Sequence, residues 1–237
     1  MFKAIFFDVD NTLLDFNKGA DKAIKKVFGD LGITFSSEMT KTFHEVNDGL
    51  WKRLEKEEIT LVQLHEIRFG LVLDRLGIKG FDGKDVEQAF LAALRVCAVK
   101  IDGAEELLFS LYGKYKLYAT SNAPHYQQIA RLTNTGLIKY FDDVFTSELI
   151  GTAKPEKSFF DGCFERVPDL KKEDVLLVGD SISADIKGGA EYGLKTCWYC
   201  PDKEKAKTNT LADYVINELC ELTFLKKSKQ KTFKPRG

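Results

Sequence analysis

The sequence predicts an α/β protein: a doubly wound, mainly parallel sheet with a helical insertion directly after the first strand. Three observations predict it. Short apolar runs bounded by turn residues recur at 3–9, 116–120, 143–146, 174–178, 196–199 and 213–216, with helical patterns between the later ones. Strand alternating with helix is the pattern of a parallel sheet covered by helices. Runs such as Val175-Leu176-Leu177-Val178 lack polar alternation, as strands buried on both faces do. Residues 17–99, by contrast, read as helical throughout. At 237 residues, 44% hydrophobic and 30% charged, the chain has a globular composition and enough length for a large core.

The first run, Ala4-Ile5-Phe6-Phe7, leads into Asp8-Val9-Asp10-Asn11-Thr12. Residues two apart share one face of a strand, and paired carboxylates repel unless a cation or a shared proton offsets the repulsion. If the chain turns after Asp8, that acid stands at the carboxyl edge, where open α/β sheets bind ligands. This suits a divalent cation and a nucleophilic carboxylate; the alternative is an acidic turn. Next, Phe43, Val46, Leu50 and Leu54, then Leu61, Leu64, Ile67 and Leu71, recur at helical spacing. Thr60 with Gln63 forms a capping-box signature. The expected division is therefore a core of residues 1–16 and 100–237 and a helical domain of residues 17–99, a lid over the end of the first strand.

Beyond the insertion, Asp102 with Glu105 reads as the capping box of a helix over 104–112. The strand at 116–120 ends in Ser121-Asn122, with Pro124 opening a helix over 126–133. Backbone N–H groups there, with Ser121 Oγ, favour an anion. After the strand at 143–146, Gly151-Thr152-Ala153-Lys154-Pro155 sets a lysine ahead of a proline-initiated helix over 158–167. The strand at 174–178 runs into Gly179-Asp180-Ser181-Ile182-Ser183-Ala184-Asp185, with a helix over 183–191. In the strand-forming stretch at 195–200, Cys197 and Cys200 are three apart and face opposite sides. With no second pair to complete a zinc site, they read as structural.

Composition also excludes functions. A formal net charge of −1 gives no field favouring nucleic acid or an anionic membrane. No apolar run approaches the ~20 residues of a spanning helix, and the run before Asp8 is too short for a signal peptide. Five cysteines, an odd number, argue against a disulfide framework. The expected location is the cytoplasm, with no nucleic-acid or membrane partner, as a monomer or homodimer. The basic segment at 226–236 reads as a solvated tail, a nucleic-acid role being the alternative.

Singly, each strand tip has a plain structural reading: Ser121-Asn122 a helix cap, Lys154 a surface lysine, Asp180 a cap with Asp185 solvated behind it. Together they supply two acids, a hydroxyl, a lysine and two more acids on four successive tips. That is the inventory of metal-assisted phosphoryl transfer. Asp8-x-Asp10-x-Thr12, the strand ending in Ser121-Asn122, Lys154-Pro155 and Gly179-Asp180-Ser181-x-x-x-Asp185 resemble, in order, the four motifs of the haloacid dehalogenase (HAD) superfamily. The helical stretch is similar to that superfamily's C1-type cap. The resemblance implies a Rossmann-like core and a Mg²⁺-dependent phosphomonoester hydrolase, with Mn²⁺ as a substitute. Asp8 is then the nucleophile, giving an aspartyl-phosphate, and Asp10 the acid and base. Ser121, Asn122 and Lys154 bind phosphate. The Asp8 carboxylate, the Asp10 backbone carbonyl and Asp180 hold the metal, with Asp185 on a metal-bound water or on Lys154. Two departures stand out: Asn11 replaces the usual glycine, and Ser121-Asn122-Ala123 the commoner Thr-Asn-Gly.

Residues 46–51, 58–60, Arg68-Phe69, 135–142 and 196–198 further resemble the bacterial pyrimidine 5′-nucleotidase subgroup, which implies nucleoside monophosphates such as UMP, dUMP and dTMP, and non-standard ones, as substrates. The alternatives are a phosphatase of sugar phosphates or phosphoglycolate, and a phosphomutase. Dehalogenation is disfavoured by Asp10, since a halide leaves without a proton. A binding module on a disabled enzyme fold is disfavoured because every acid and the lysine are present. In the insertion, Trp51 is either a base-stacking aromatic or a residue packed between helices, the latter preferred. Arg68 is equally open, and His125 is expected to be exposed.

Overall fold

The computed structural model describes residues 2–207 and 211–223; the basic segment at 226–236 lies outside them. Among the described residues six strands form one sheet: β1 (Ala4–Asp8), β2 (Lys116–Ser121), β3 (Asp143–Thr146), β4 (Val175–Gly179), β5 (Lys195–Tyr199) and β6 (Tyr214–Ile216). All neighbours are parallel, in the order β3-β2-β1-β4-β5-β6. This is the doubly wound arrangement, with its switch point beside β1. Ten α-helices among the described residues, α1 (Phe16–Asp30), α2 (Ser37–Glu55), α3 (Leu61–Arg75), α4 (Gly83–Val96), α5 (Ala104–Leu111), α6 (His125–Asn134), α7 (Ser147–Ile150), α8 (Lys157–Arg166), α9 (Gly188–Tyr192) and α10 (Lys203–Ala206), complete the α/β fold. Among the described residues no helix is long and apolar enough to cross a membrane.

The chain divides into two compact units. One holds residues 1–14, 100–125 and 137–237; the other holds 15–99 and 126–136. In the first, Ala4 through Phe7 of β1 are completely buried, and successive side chains point to opposite faces, so both faces are covered. On one face Phe6 meets Tyr118 and Phe145 edge-on, at centroid separations of 5.4 and 5.8 Å. Phe159, Phe160 and Cys163 of α8 complete that layer. Aromatic pairs in this geometry contribute ~0.5–1.5 kcal/mol beyond their area burial.

The second unit is a helical cluster centred on Phe43, Phe69 and Phe90, with ring centroids 4.8 to 5.6 Å apart. Its helices start as the local sequence dictates. Asp15 and Asp82 cap α1 and α4 with their carboxylates, and Thr60 and Gln63 exchange the two bonds of a capping box at α3. One polar network crosses this apolar interior. Arg68 lies between the rings of Phe43 and Phe90, 5.4 and 5.1 Å from their centroids. Its Nε and Nη2 donate to Glu87, its Nη1 to Asn47 Oδ1. Asn47 Oδ1 also accepts the Trp51 indole N–H, at 3.1 Å, and His65 Nδ1 lies 2.8 Å from Glu87. Burial would raise the Glu87 carboxyl, but the Arg68 guanidinium and His65 outweigh it and hold it below the usual range.

Two local expectations are corrected. Asp102 does not cap α5: the cap is Gly103, at φ +80° and with no side-chain bond. Glu105 is instead engaged by Lys100 and Lys139. The helix expected over 183–191 is two pieces, a π-helical turn at Ile182–Lys187 followed by α9. Such turns are rare and are frequent at functional sites.

Candidate active site

β1 ends at Asp8, and the chain turns back at once. Asn11 N donates to Leu14 O at 2.7 Å, and Leu13 N and Leu14 N both donate to Val9 O. Asn11 sits at φ +57°, a left-handed conformation that glycine adopts freely and asparagine tolerates, which accounts for that departure from the family pattern. The turn leaves Asp8 alone at the carboxyl edge of the central strand.

Three more segments arrive at the same edge. β2 pairs with β1 so that Thr120 lies opposite Asp8, with Ser121 next. β4, on the other side, pairs Val178 with Phe7 and delivers Gly179-Asp180. The loop after α7 brings Lys154, only 3% exposed. Its ammonium donates to Asp8 Oδ1 at 2.8 Å, Asp185 Oδ1 at 2.6 Å and the Thr120 carbonyl at 3.3 Å, which uses all three of its N–H bonds. Asp8 Oδ2 accepts from the buried Thr12 hydroxyl at 3.0 Å. Asp185 Oδ2 accepts from Ser181 N at 3.1 Å, and Ser181 Oγ caps Ala184 N. The π-helical turn thus carries Asp185 into contact with Lys154.

Charge in this set does not balance. One ammonium faces the carboxylates of Asp8, Asp180 and Asp185, an oxygen from each lying within 4.8 Å of the others. Burial, offset in part by the Lys154 ammonium and reinforced by Asp185 and Asp10, pushes the Asp8 carboxyl up to about 7. Burial and the charges of Asp8 and Asp185 likewise raise Asp180 well above the carboxylate range. Burial alone would lower Lys154, but Asp185 and Asp8 on either side raise it above the usual lysine range. Acids strained in this way regain their charge when a cation joins them. All-oxygen donors suit a hard divalent ion, so the carboxylates of Asp8, Asp180 and Asp185 fit one.

The structure thus brings Asp8, Lys154, Asp180 and Asp185 together, with Asp10 close enough to raise Asp8. Ser121 is buried beside them, its Oγ accepting from Ala123 N at 3.1 Å. The Asn122 side chain is engaged elsewhere: Oδ1 accepts from Lys154 N and Nδ2 donates to Lys154 O, both at 2.8 Å. Its side chain therefore braces the lysine loop. Sequence reasoning also gave no role to Thr12 or Gly179. A Cβ on Gly179 would fall 2.3 Å from the Asp185 carboxyl carbon, so a side chain there would displace that acid. The glycine between strand end and acid was the available signal. His125 is half-buried, its ring 3.3 Å from Thr146 Oγ1. Trp51 and Arg68 belong to the network inside the helical unit, and Cys197 and Cys200 are free and buried.

The family model for haloacid dehalogenase-like hydrolases matches residues 2–193. The chain belongs to that family. Within it, the chain is 36% identical to the HAD-hydrolase YfnB of Bacillus subtilis, over 93% of this chain and 94% of YfnB. A crystal structure of YfnB bound to magnesium superposes with a TM-score of 0.87, at 35% identity, covering 94% of this chain and 98% of that one. Two further HAD relatives are named as pyrimidine 5′-nucleotidases. PynA of Streptococcus pneumoniae is 33% identical over 91% of both chains, and YjjG of Escherichia coli 34% identical over 92% of this chain and 95% of its own.

Proposed function

We propose that the protein is a Mg²⁺-dependent phosphomonoester hydrolase that carries the phosphoryl group on Asp8, acting on pyrimidine nucleoside monophosphates such as UMP, dUMP and dTMP and their non-standard analogues. The observation that carries the phosphatase reading is the buried edge cluster, in which Asp8 lies between Lys154 and Thr12 with two further acids beside it. The substrate class rests on similarity to PynA and YjjG over more than 90% of this chain.

Thr12 and Lys154 hold the two Asp8 oxygens in place. One of them attacks phosphorus in line, the P–O ester bond breaks, and an acyl phosphate forms on Asp8. Asp10 gives its proton to the departing ester oxygen. It then takes a proton from water, whose oxygen attacks phosphorus and releases Asp8 and inorganic phosphate. Ser121 Oγ, the loop N–H groups after β2 and Lys154 steady the phosphoryl oxygens as charge moves between them. Asp8 and Asp180, with the Asp10 carbonyl, would hold Mg²⁺, Mn²⁺ serving in its place. When bound, the ion neutralises phosphoryl charge against the surrounding carboxylates. Asp185 keeps Lys154 on its station.

A panel of UMP, dUMP, dTMP, AMP, phosphoglycolate and sugar phosphates, assayed for phosphate release with Mg²⁺, tests both levels. A kcat/KM for pyrimidine monophosphates well above the others is expected. A sugar-biased profile leaves the chemistry standing and removes the substrate assignment; transfer of phosphate within a sugar makes the protein a mutase.

A further inference from the structure

Asp180 and Asp185 come from different pieces of backbone, the end of β4 and a π-helical turn, yet must keep a fixed separation to serve one site. One side chain behind them touches both supports. Trp198 lies on β5 directly opposite Gly179 in the parallel register, and is 2% exposed. Its indole Nε1 donates to the backbone carbonyl of Asp180 at 2.8 Å. Trp198 shares a buried cluster with Cys200 and with Ile186, the residue of the π-helical turn that follows Asp185, and Ile182 at the start of that turn packs against the cluster. A core aromatic needs only volume. Tryptophan adds one N–H, and here it meets the carbonyl of the residue whose carboxylate faces Asp8. Buried indole N–H groups seek such a partner, and this one fixes the peptide plane from which the Asp180 side chain departs.

We propose that Trp198 is a positioning residue for the acid pair, holding Asp180 through its indole N–H and Asp185 through its ring, and so setting the affinity of the site for a divalent cation. This rests on the reading of Asp180 as a metal-holding acid. Partners that orient the ligands of a metal are worth about 10–100-fold in affinity.

The test is calorimetric titration of the metal-free, full-length protein with Mg²⁺, without substrate. Trp198→Phe keeps a ring among Ile182, Ile186 and Cys200 and loses the N–H. It is expected to bind Mg²⁺ about ten-fold more weakly, while its metal-free melting temperature stays near that of the unaltered protein. Trp198→Leu, losing the ring as well, should weaken binding further. Unchanged Mg²⁺ affinity in Trp198→Phe overturns the inference. Asp180→Asn separates that failure from a deeper one: if Asp180→Asn also binds Mg²⁺ normally, the metal reading of Asp180 falls and the inference with it. Should Trp198→Phe fail to fold, the unaltered protein supplies the readout. Trp51 and Trp198 are its only tryptophans, so a nitrogen-labelled sample shows two indole N–H resonances, assigned with Trp51→Phe. The Trp198 resonance should shift on saturation with Mg²⁺, and a resonance that stays in place overturns the inference.

Discussion

At the scale of single residues, Asp8 carries the sharpest expectations. Asp8→Asn keeps the shape and removes the nucleophile, so turnover should fall below about one per cent, and by more if general acid–base help alone cannot replace covalent catalysis. Phosphate release measures it, with circular dichroism to check the fold. Asp10→Asn should behave differently, because both halves of the reaction need its proton. With an activated ester that leaves unprotonated, the first half proceeds and the second stalls. Intact-mass spectrometry should then detect a phosphoryl adduct on Asp8. A pH dependence follows from burial as well. Asp8 is raised from 3.8 to about 7 in the folded, metal-free protein, so the folded state holds its proton more tightly than the unfolded state. The corresponding stability is present at low pH and is lost as pH rises through about 7. Asp8→Asn does not titrate, so the metal-free variant should gain melting temperature relative to the unaltered protein across that interval. A difference constant with pH would contradict the raised carboxyl. The place of Asp8 at a strand end was legible in the sequence because the apolar run Ala4 to Phe7 leads straight into it. The bracing of Lys154 by Asn122 was not, since it joins positions 32 apart across a register that no local pattern encodes.

Among the elements, the same contrast holds for helix starts. The Thr60–Gln63 box was readable because both partners belong to one turn and nothing competes for them. Asp102–Glu105 has the same spacing, but Gly103 at positive φ is the cap, and two lysines claim Glu105. The π-helical turn was unreadable for a related reason: no local sequence pattern at Ile182–Lys187 sets it apart from an α-helical turn. α3 and α4 are joined by the most demanding contact of the helical unit, Arg68 with Glu87, each almost wholly buried. Arg68→Met would strand the Glu87 carboxylate, and denaturant titration should show a loss of about 3–5 kcal/mol. Replacing both, Arg68→Met with Glu87→Leu, should recover much of that loss, because no unpaired charge is left behind. A double variant as unstable as the single one would mean the network contributes through geometry rather than charge.

For the molecule as a whole, the cation is the expected link between activity and stability. Chelation with EDTA should abolish phosphate release and Mg²⁺ restore it. With Mg²⁺ at about 100 times its Kd, linkage predicts a gain of about 2.7 kcal/mol in unfolding free energy, visible as a raised melting temperature that Asp180→Asn lacks. The sheet was foreseeable strand by strand from apolar runs, but the grouping of residues 126–136 with the helical unit was not. That grouping depends on long-range contacts such as the bond from Gln127 to the Leu91 carbonyl. The strand order has one further consequence, which concerns synthesis. β1 is made before the other five strands of this sheet and lies inside the finished sheet, between β2 and β4. At ribosomal rates of about 5–20 residues per second, roughly ten seconds or more separate the emergence of β1 from that of β4. Through that interval Ala4-Ile5-Phe6-Phe7 has an unsatisfied edge, while the helices of residues 16–96 already hold among themselves the apolar cluster around Phe43, Phe69 and Phe90. A chain halted before Gly179 therefore offers the cell a folded helical cluster tethered to an exposed strand, a species fit for chaperones rather than for catalysis.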